Sequence, residues 1–342
     1  MSQTPSTPSL AAAVTVQSIN IGGLSVDVFS GQPPSLSNLN GNIANDSQPP
    51  SSIPQLPLAA LILLHGRLGS KADLHPIAEK ILSYAHDRSF PNGSPSQRET
   101  TTTTFAGREL IVVTLDHRNH GARTVDPFSN QSWSTRPEKH NPRHAIDMYA
   151  IQTGSAHDVS YLIDALPDYL FPNGERTIDT WAMSGVSLGG HSTWHCLKED
   201  PRIKIGVPII GGSASASPHF NRNTTLPGKY DPTSPTDRAA NPFLGKHVLV
   251  LSGGKDKLVP YTFSRAFVDS LVTGEDGSKD AWVQPEAGHE LTDAMLERLC
   301  AFIWEKALCA PLVIGLQDSP SLVKPQLRSS SGGVEGGGNS RL

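Results

Sequence analysis

The sequence predicts one α/β domain, a mostly parallel central sheet with helices on both faces, and three observations carry that prediction. Short apolar runs of strand length alternate with segments of helical periodicity between residues 58 and 308. Two of the runs, 58–64 and 110–115, are apolar throughout apart from Thr114, as strands buried on both faces require. A Gly-x-Ser-x-Gly pentapeptide, 185–189, lies between one run and the next helical segment. The chain has 342 residues, a length that by itself suggests about two domains. Its 30 glycines and 28 prolines gather in Ser-, Thr- and Asn-rich stretches that cannot bury a core, so one large domain spanning 13–315 is expected.

Taken in order, 1–12 is Ser-, Thr- and Pro-rich and is expected to be unordered. Residues 14–21 and 24–29 alternate apolar with polar on either side of Gly22-Gly23, which predicts a hairpin. A first polar insertion, 31–57, holds six prolines. The 58–64 strand follows, then a helix over 73–86 with Ile77, Ile81, Tyr84 and Ala85 at helical spacing. A second insertion, 91–107, leads into the 110–115 strand, which ends at Asp116. Beyond it the spacing predicts a helix over 154–166, a strand over 178–183, a helix over 190–198 and a strand over 205–210. A strand over 247–252, a helix over 258–272, a strand over 281–284 and a helix over 291–308 complete the alternation. Two polar stretches, 124–149 and 211–245, read as irregular, and the second is placed where a lid would sit over the sheet. A flexible tail is expected over 316–342.

Composition excludes several classes of function. The net charge is −4, with no basic block, so nucleic acid is not an expected partner. No apolar run approaches the ~20 residues of a spanning helix, so membrane insertion is not expected. Three cysteines without metal-ligand spacing indicate neither a disulfide framework nor a thiolate zinc site. No Lys or Arg precedes Arg67, which argues against an export signal. The last three residues, Ser340-Arg341-Leu342, resemble a peroxisomal address, so the expected location is the peroxisome, with a peroxisomal import receptor as partner and the cytoplasm as the alternative.

The chemistry centres on Ser187. A serine on a sharp strand-to-helix turn is pushed into solvent, and glycines two residues before and after it remove side chains that would clash there. A nucleophilic serine needs a base, and His289, in the loop after the last strand, is the candidate. Asp256, after the 247–252 strand, is the candidate for the carboxylate that orients the imidazole. Two backbone amides should hold the oxyanion, those of Leu188 at the helix start and Arg67 after His65-Gly66. His65, Gly66 and His117 are candidate pocket residues. The Arg67 and His117 side chains could face the pocket and bind a carboxylate, but anchoring of their loops is the favoured reading. The pairs His117/His120 and His191/His195 have spacings that could hold a metal, yet the triad accounts for the site without one, so neither a metal nor a cofactor is expected.

Together, His65-Gly66, the run Asp116-His117-Arg118-Asn119-His120-Gly121, the elbow at Ser187, and Asp256 and His289 resemble the α/β-hydrolase superfamily of serine esterases, lipases, thioesterases and related peptidases. The resemblance covers roughly residues 14–308. It implies the α/β-hydrolase fold with small irregular lid insertions, and a hydrolase cleaving a small-molecule carboxylic ester or thioester through an acyl-enzyme. A non-catalytic ligand-binding protein of the same fold is the alternative from another class, and a small peptidase or amidase the alternative among enzymes.

Overall fold

The run Leu58–Leu64 forms a strand with every residue buried, and its side chains divide between two cores. Leu58, Ala60, Ile62 and Leu64 pack into one core, while Ala59, Leu61 and Leu63 pack into the other. Alternation with a period of two sends successive side chains to opposite faces, so a strand apolar at every position needs a helical layer on each side. The computed structural model describes residues 14–31, 56–89, 106–213, 233–234, 236–237 and 240–309. The predicted unordered N-terminus and the C-terminal tail with its tripeptide lie outside the described residues. So do most of the 31–57 and 91–107 insertions and the greater part of the 211–245 stretch.

Among the described residues, eight strands make one sheet: β1 Val14–Ile21, β2 Leu24–Gly31, β3 Leu58–Leu64, β4 Glu109–Leu115, β5 Ile178–Val186, β6 Ile203–Ile209, β7 His247–Gly253 and β8 Ser278–Gln284. Their spatial order is β1-β2-β4-β3-β5-β6-β7-β8. The pairs β1/β2 and β2/β4 are antiparallel, and from β4 to β8 every neighbour is parallel. The Gly22-Gly23 hairpin is present, both glycines having positive φ.

Among the described residues, five α-helices cover the sheet: α1 His75–Ser89, α2 His144–Leu170, α3 Leu188–Glu199, α4 Thr262–Ser270 and α5 Asp293–Ile303. One core takes Val159, Leu162 and Leu166 of α2, Trp194 and Leu197 of α3 and Val268 of α4. The opposite core takes Ala78, Ile81 and Leu82 of α1 with Met295, Leu299 and Ile303 of α5. The chain moves outward from β3 to β4, then crosses back so that β5 pairs with the other edge of β3. The loops after β3 and β5 therefore diverge at a switch point, where an open α/β sheet leaves a crevice at its carboxyl edge.

Several helix boundaries differ from the sequence expectation, three of them informatively. Helix α2 starts at His144 rather than 154, so the irregular stretch after β4 is shorter than read. Helix α4 starts at Thr262, because Pro260 and the turn around Asp256 occupy the residues before it. Helix α5 ends at Ile303 and gives way to a π-helical turn, Trp304–Leu308, whose Trp304, Ala307 and Leu308 remain buried.

Candidate active site

Ser187 is the single residue between β5 and α3, at φ 56° and ψ −107°. A non-glycine residue with positive φ is strained, and such strain persists only where the surroundings enforce it. Here Ser187 N–H donates to the Ile209 carbonyl (2.9 Å), and the Ser187 carbonyl accepts from His191 N–H (3.0 Å). Glycine is obligatory on both sides. A Cβ on Gly185 would stand 2.4 Å from the Gly189 carbonyl carbon, and one on Gly189 would stand 2.2 Å from the Leu64 oxygen.

His289 bridges the serine and the acid. Its Nε2 lies 2.8 Å from Ser187 Oγ and its Nδ1 lies 2.8 Å from Asp256 Oδ2. With the proton on Nδ1 donated to the carboxylate, Nε2 is left as the acceptor for the serine hydroxyl. The Asp256 side chain is fully buried, and its Oδ1 accepts the Leu258 and Val259 amides at 2.8 and 2.9 Å. The loops bearing Asp256 and His289 are joined by backbone bonds, Gly254 N to Gln284 O (2.7 Å) and Lys255 N to Ala287 O (2.9 Å). Gly253 permits that approach, since a Cβ there would lie 2.2 Å from the Gly288 oxygen. Three residues from the ends of three separate strands thus meet in one hydrogen-bonded chain.

The loop after β3 runs beside the serine. A Cβ on Gly66 would be 3.8 Å from Ser187 Cβ, and the His65 carbonyl accepts the Gly189 amide at 3.1 Å. Leu188 opens α3, so its amide has no intrahelical acceptor. Neither that amide nor the Arg67 amide makes a backbone hydrogen bond among the described residues, and both residues line the cavity at Ser187.

The expectation for His65 and His117 as pocket residues is corrected by the structure. Both are buried, at 1% and 0% exposure, and neither lines the cavity. His65 Nδ1 donates to the Gly66 carbonyl (2.7 Å), and its Nε2 accepts the His117 amide (3.1 Å). His117 Nε2 donates to the His65 carbonyl (3.1 Å), and its Nδ1 accepts from Ser155 Oγ (2.8 Å). Burial holds both imidazoles below their ordinary pKa, His117 well below it, so both stay neutral and brace the loop that carries Arg67. Gly66 adjoins Ser187 but does not line the cavity. Asp116 pins the next loop, with Oδ1 on the Lys71 amide (2.7 Å) and Oδ2 on the Ala122 amide (2.9 Å).

His191 lines the cavity, and both of its ring nitrogens are engaged. Nδ1 donates to the Ser187 carbonyl (2.8 Å) and Nε2 accepts the Gly212 amide (3.3 Å). Burial lowers its pKa to about 4, so it is neutral near pH 7. With the nitrogens of His117 and His191 committed in this way, neither histidine pair has two free members that could ligate one ion together.

The cavity at Ser187 has a volume of about 280 Å³. Trp133, Met148 and Phe263 give it apolar walls, and Arg67, Gln152 and Ser132 supply polar groups. Of these, sequence reasoning placed only Arg67, Ser187 and Leu188 at the site. Gln152 carried a signal that was open to reading, a polar residue on the helix face that also bears Met148, Ser155 and Val159.

Neither a family model nor a curated protein sequence matches the chain. Solved structures do match. TT1662 from Thermus thermophilus superposes with a TM-score of 0.51 at 17% identity, over 86% of this chain and 98% of its own. A putative dienelactone hydrolase from Klebsiella pneumoniae subsp. pneumoniae MGH 78578 gives 0.47 at 15% identity, over 85% and 98%. Acetyl xylan esterase 1 from Thermoanaerobacterium sp. JW/SL YS485 gives 0.45 at 14% identity, over 86% and 88%. With its strand order, its antiparallel β2 and the turn at Ser187, the chain has the α/β-hydrolase fold.

Proposed function

We propose that the protein is a serine hydrolase that cleaves a carboxylic ester or thioester through an acyl-enzyme. The observation that carries this reading is the continuous hydrogen-bonded chain from Ser187 Oγ through His289 to Asp256, with 2.8 Å at both links. That chain has the geometry of a nucleophile, a general base and the carboxylate that orients the base. Ser187 Oγ attacks the carbonyl carbon as its proton passes to His289 Nε2, and the amides of Arg67 and Leu188 receive the developing oxyanion. Collapse breaks the bond to the alcohol or thiol, which leaves with the proton from His289. Water then gives a proton to His289 and attacks the acyl carbon, and the second collapse returns the proton to Ser187 and frees the acid.

The test is covalent labelling by a fluorophosphonate together with turnover of p-nitrophenyl esters. The wild type should be labelled on Ser187 and should hydrolyse short-chain esters. Ser187→Ala should lose labelling and at least ~10³-fold in kcat while keeping its circular dichroism spectrum. A folded wild type that is neither labelled nor active would mark a ligand-binding protein instead.

A further inference from the structure

The cavity beside Ser187 contains a cation that meets no counter-charge among the described residues. Arg67 lines it, half-buried, and its one hydrogen bond among the described residues runs from Nη1 to the Asn130 carbonyl at 2.8 Å. No carboxylate pairs with it there. Burial lowers its pKa, and among the described residues no acid acts in the opposite direction. Arg118, one loop away, shows the ordinary arrangement, with Nε and Nη2 on the two oxygens of Asp158 at 3.1 and 2.7 Å.

A second group faces the same space. Gln152 is only 3% exposed, yet it lines the cavity and its side-chain amide has no hydrogen-bond partner among the described residues. A guanidinium partly withdrawn from water without an anion costs stability, and the Gln152 amide stands open to the cavity as a donor. The cost falls if an occupant supplies acceptors. The remaining lining, Trp133, Met148, Leu188 and Phe263, is apolar and suits a hydrocarbon stretch between the reacting carbonyl and a charged end.

We propose that the substrate is an anionic ester or thioester whose acyl part ends in a carboxylate, held by the Arg67 guanidinium with Gln152 as an additional donor. This rests on the serine-hydrolase reading of Ser187 and adds the substrate class. A planar carboxylate matches the guanidinium fork, which lysine would replace only as a point charge. Arg67 then has two roles, its backbone amide toward the oxyanion and its side chain toward the far end of the acyl chain.

The experiment compares two p-nitrophenyl esters of the same leaving group and similar acyl shape, the hemiadipate and the neutral 6-methylheptanoate. The measured quantity is the ratio of their kcat/KM values within each variant, so any loss common to both esters cancels. The wild type should favour the hemiadipate, and Arg67→Met should lower that ratio by about 10- to 100-fold, the range of a hydrogen bond to a charged group. Arg67→Lys, which keeps the charge, should fall between them. A ratio unchanged by Arg67→Met would overturn the proposal while leaving the hydrolase reading intact. If neither ester is turned over, the hydrolase reading fails, and the anion site is read separately by calorimetric titration of Ser187→Ala with adipate. Binding that weakens at least tenfold when Arg67→Met is added supports the site, and binding that is absent or unchanged overturns it.

Discussion

At the level of single residues, the site is held by atoms whose alternatives have been removed. Asp256 Oδ1 is occupied by two backbone amides, which leaves only Oδ2 to face His289 Nδ1. This makes Asp256→Asn informative. The asparagine oxygen must stay with the two amide donors, so its NH2 group turns toward the imidazole. Nδ1 then becomes an acceptor, the proton moves to Nε2, and the ring can no longer take the serine proton. Ester turnover in this variant should fall by up to ~10⁴-fold in kcat with little change in KM, checked by steady-state kinetics on one ester. The serine candidate was legible because its strain is written in glycines. The neutral, locked state of His65 and His117 was not, because it depends on Gly66 and Ser155 as hydrogen-bond partners.

At the level of elements, α3 and α2 form much of the site between them. Helix α3 begins at the serine, and His191 in its first turn ties the Ser187 carbonyl to the segment after β6. The pH response of that tie has a definite sign. His191 has a pKa of about 4 when folded, against ~6.5 in an unfolded chain, so the unfolded state binds the extra proton between those values. Stability from this group is fully present above pH ~6.5 and is lost as pH falls toward about 4. Between pH 7.5 and 5 the loss should be about 2 kcal/mol. Urea melts at the two pH values should show a smaller difference in His191→Asn than in the wild type, and an equal difference would contradict the assignment. Helix α2 explains a miss. Its first turns carry exposed Ile146 and Tyr149, and its inner face places His144, Met148 and Gln152 against the cavity rather than the core. A helix face that borders a pocket need not be continuously apolar, so periodicity revealed only the later turns, where Val159, Leu162 and Leu166 meet the sheet.

At the level of the whole molecule, two cores on opposite faces of one sheet hold the strand ends in place. Leu61 and Ile62 are adjacent on β3 and both have 0% exposure, but they pack into different cores. Leu61→Ala and Ile62→Ala should each destabilise the protein by about 2–5 kcal/mol, measured by urea denaturation. A sheet covered on one side only would show a large loss for one substitution and almost none for its neighbour. The three site loops all leave the same edge of this doubly covered sheet, which is why residues as distant in sequence as Ser187, Asp256 and His289 share a hydrogen-bonded chain.

The sequence by itself determined the layered α/β architecture, since unbroken apolar strands can exist only between two helical layers. It also determined the sharp turn at Ser187, since Gly185 and Gly189 stand where any side chain would collide with Leu64 or with each other's backbone. The placing of the candidate serine, acid and histidine after three separate strands was equally readable, because motif and alternation are local properties of the chain. Tertiary structure alone decided which polar groups are satisfied. His117 finds Ser155, Arg118 finds Asp158, and Arg67 finds no acid among the described residues, although all three are basic side chains on polar loops. A side chain's partner depends on what folding brings beside it from elsewhere in the chain, and no local pattern encodes that. For this reason a carboxylate at Arg67, which the sequence offered only as the less favoured reading, gains its argument once the strands are assembled.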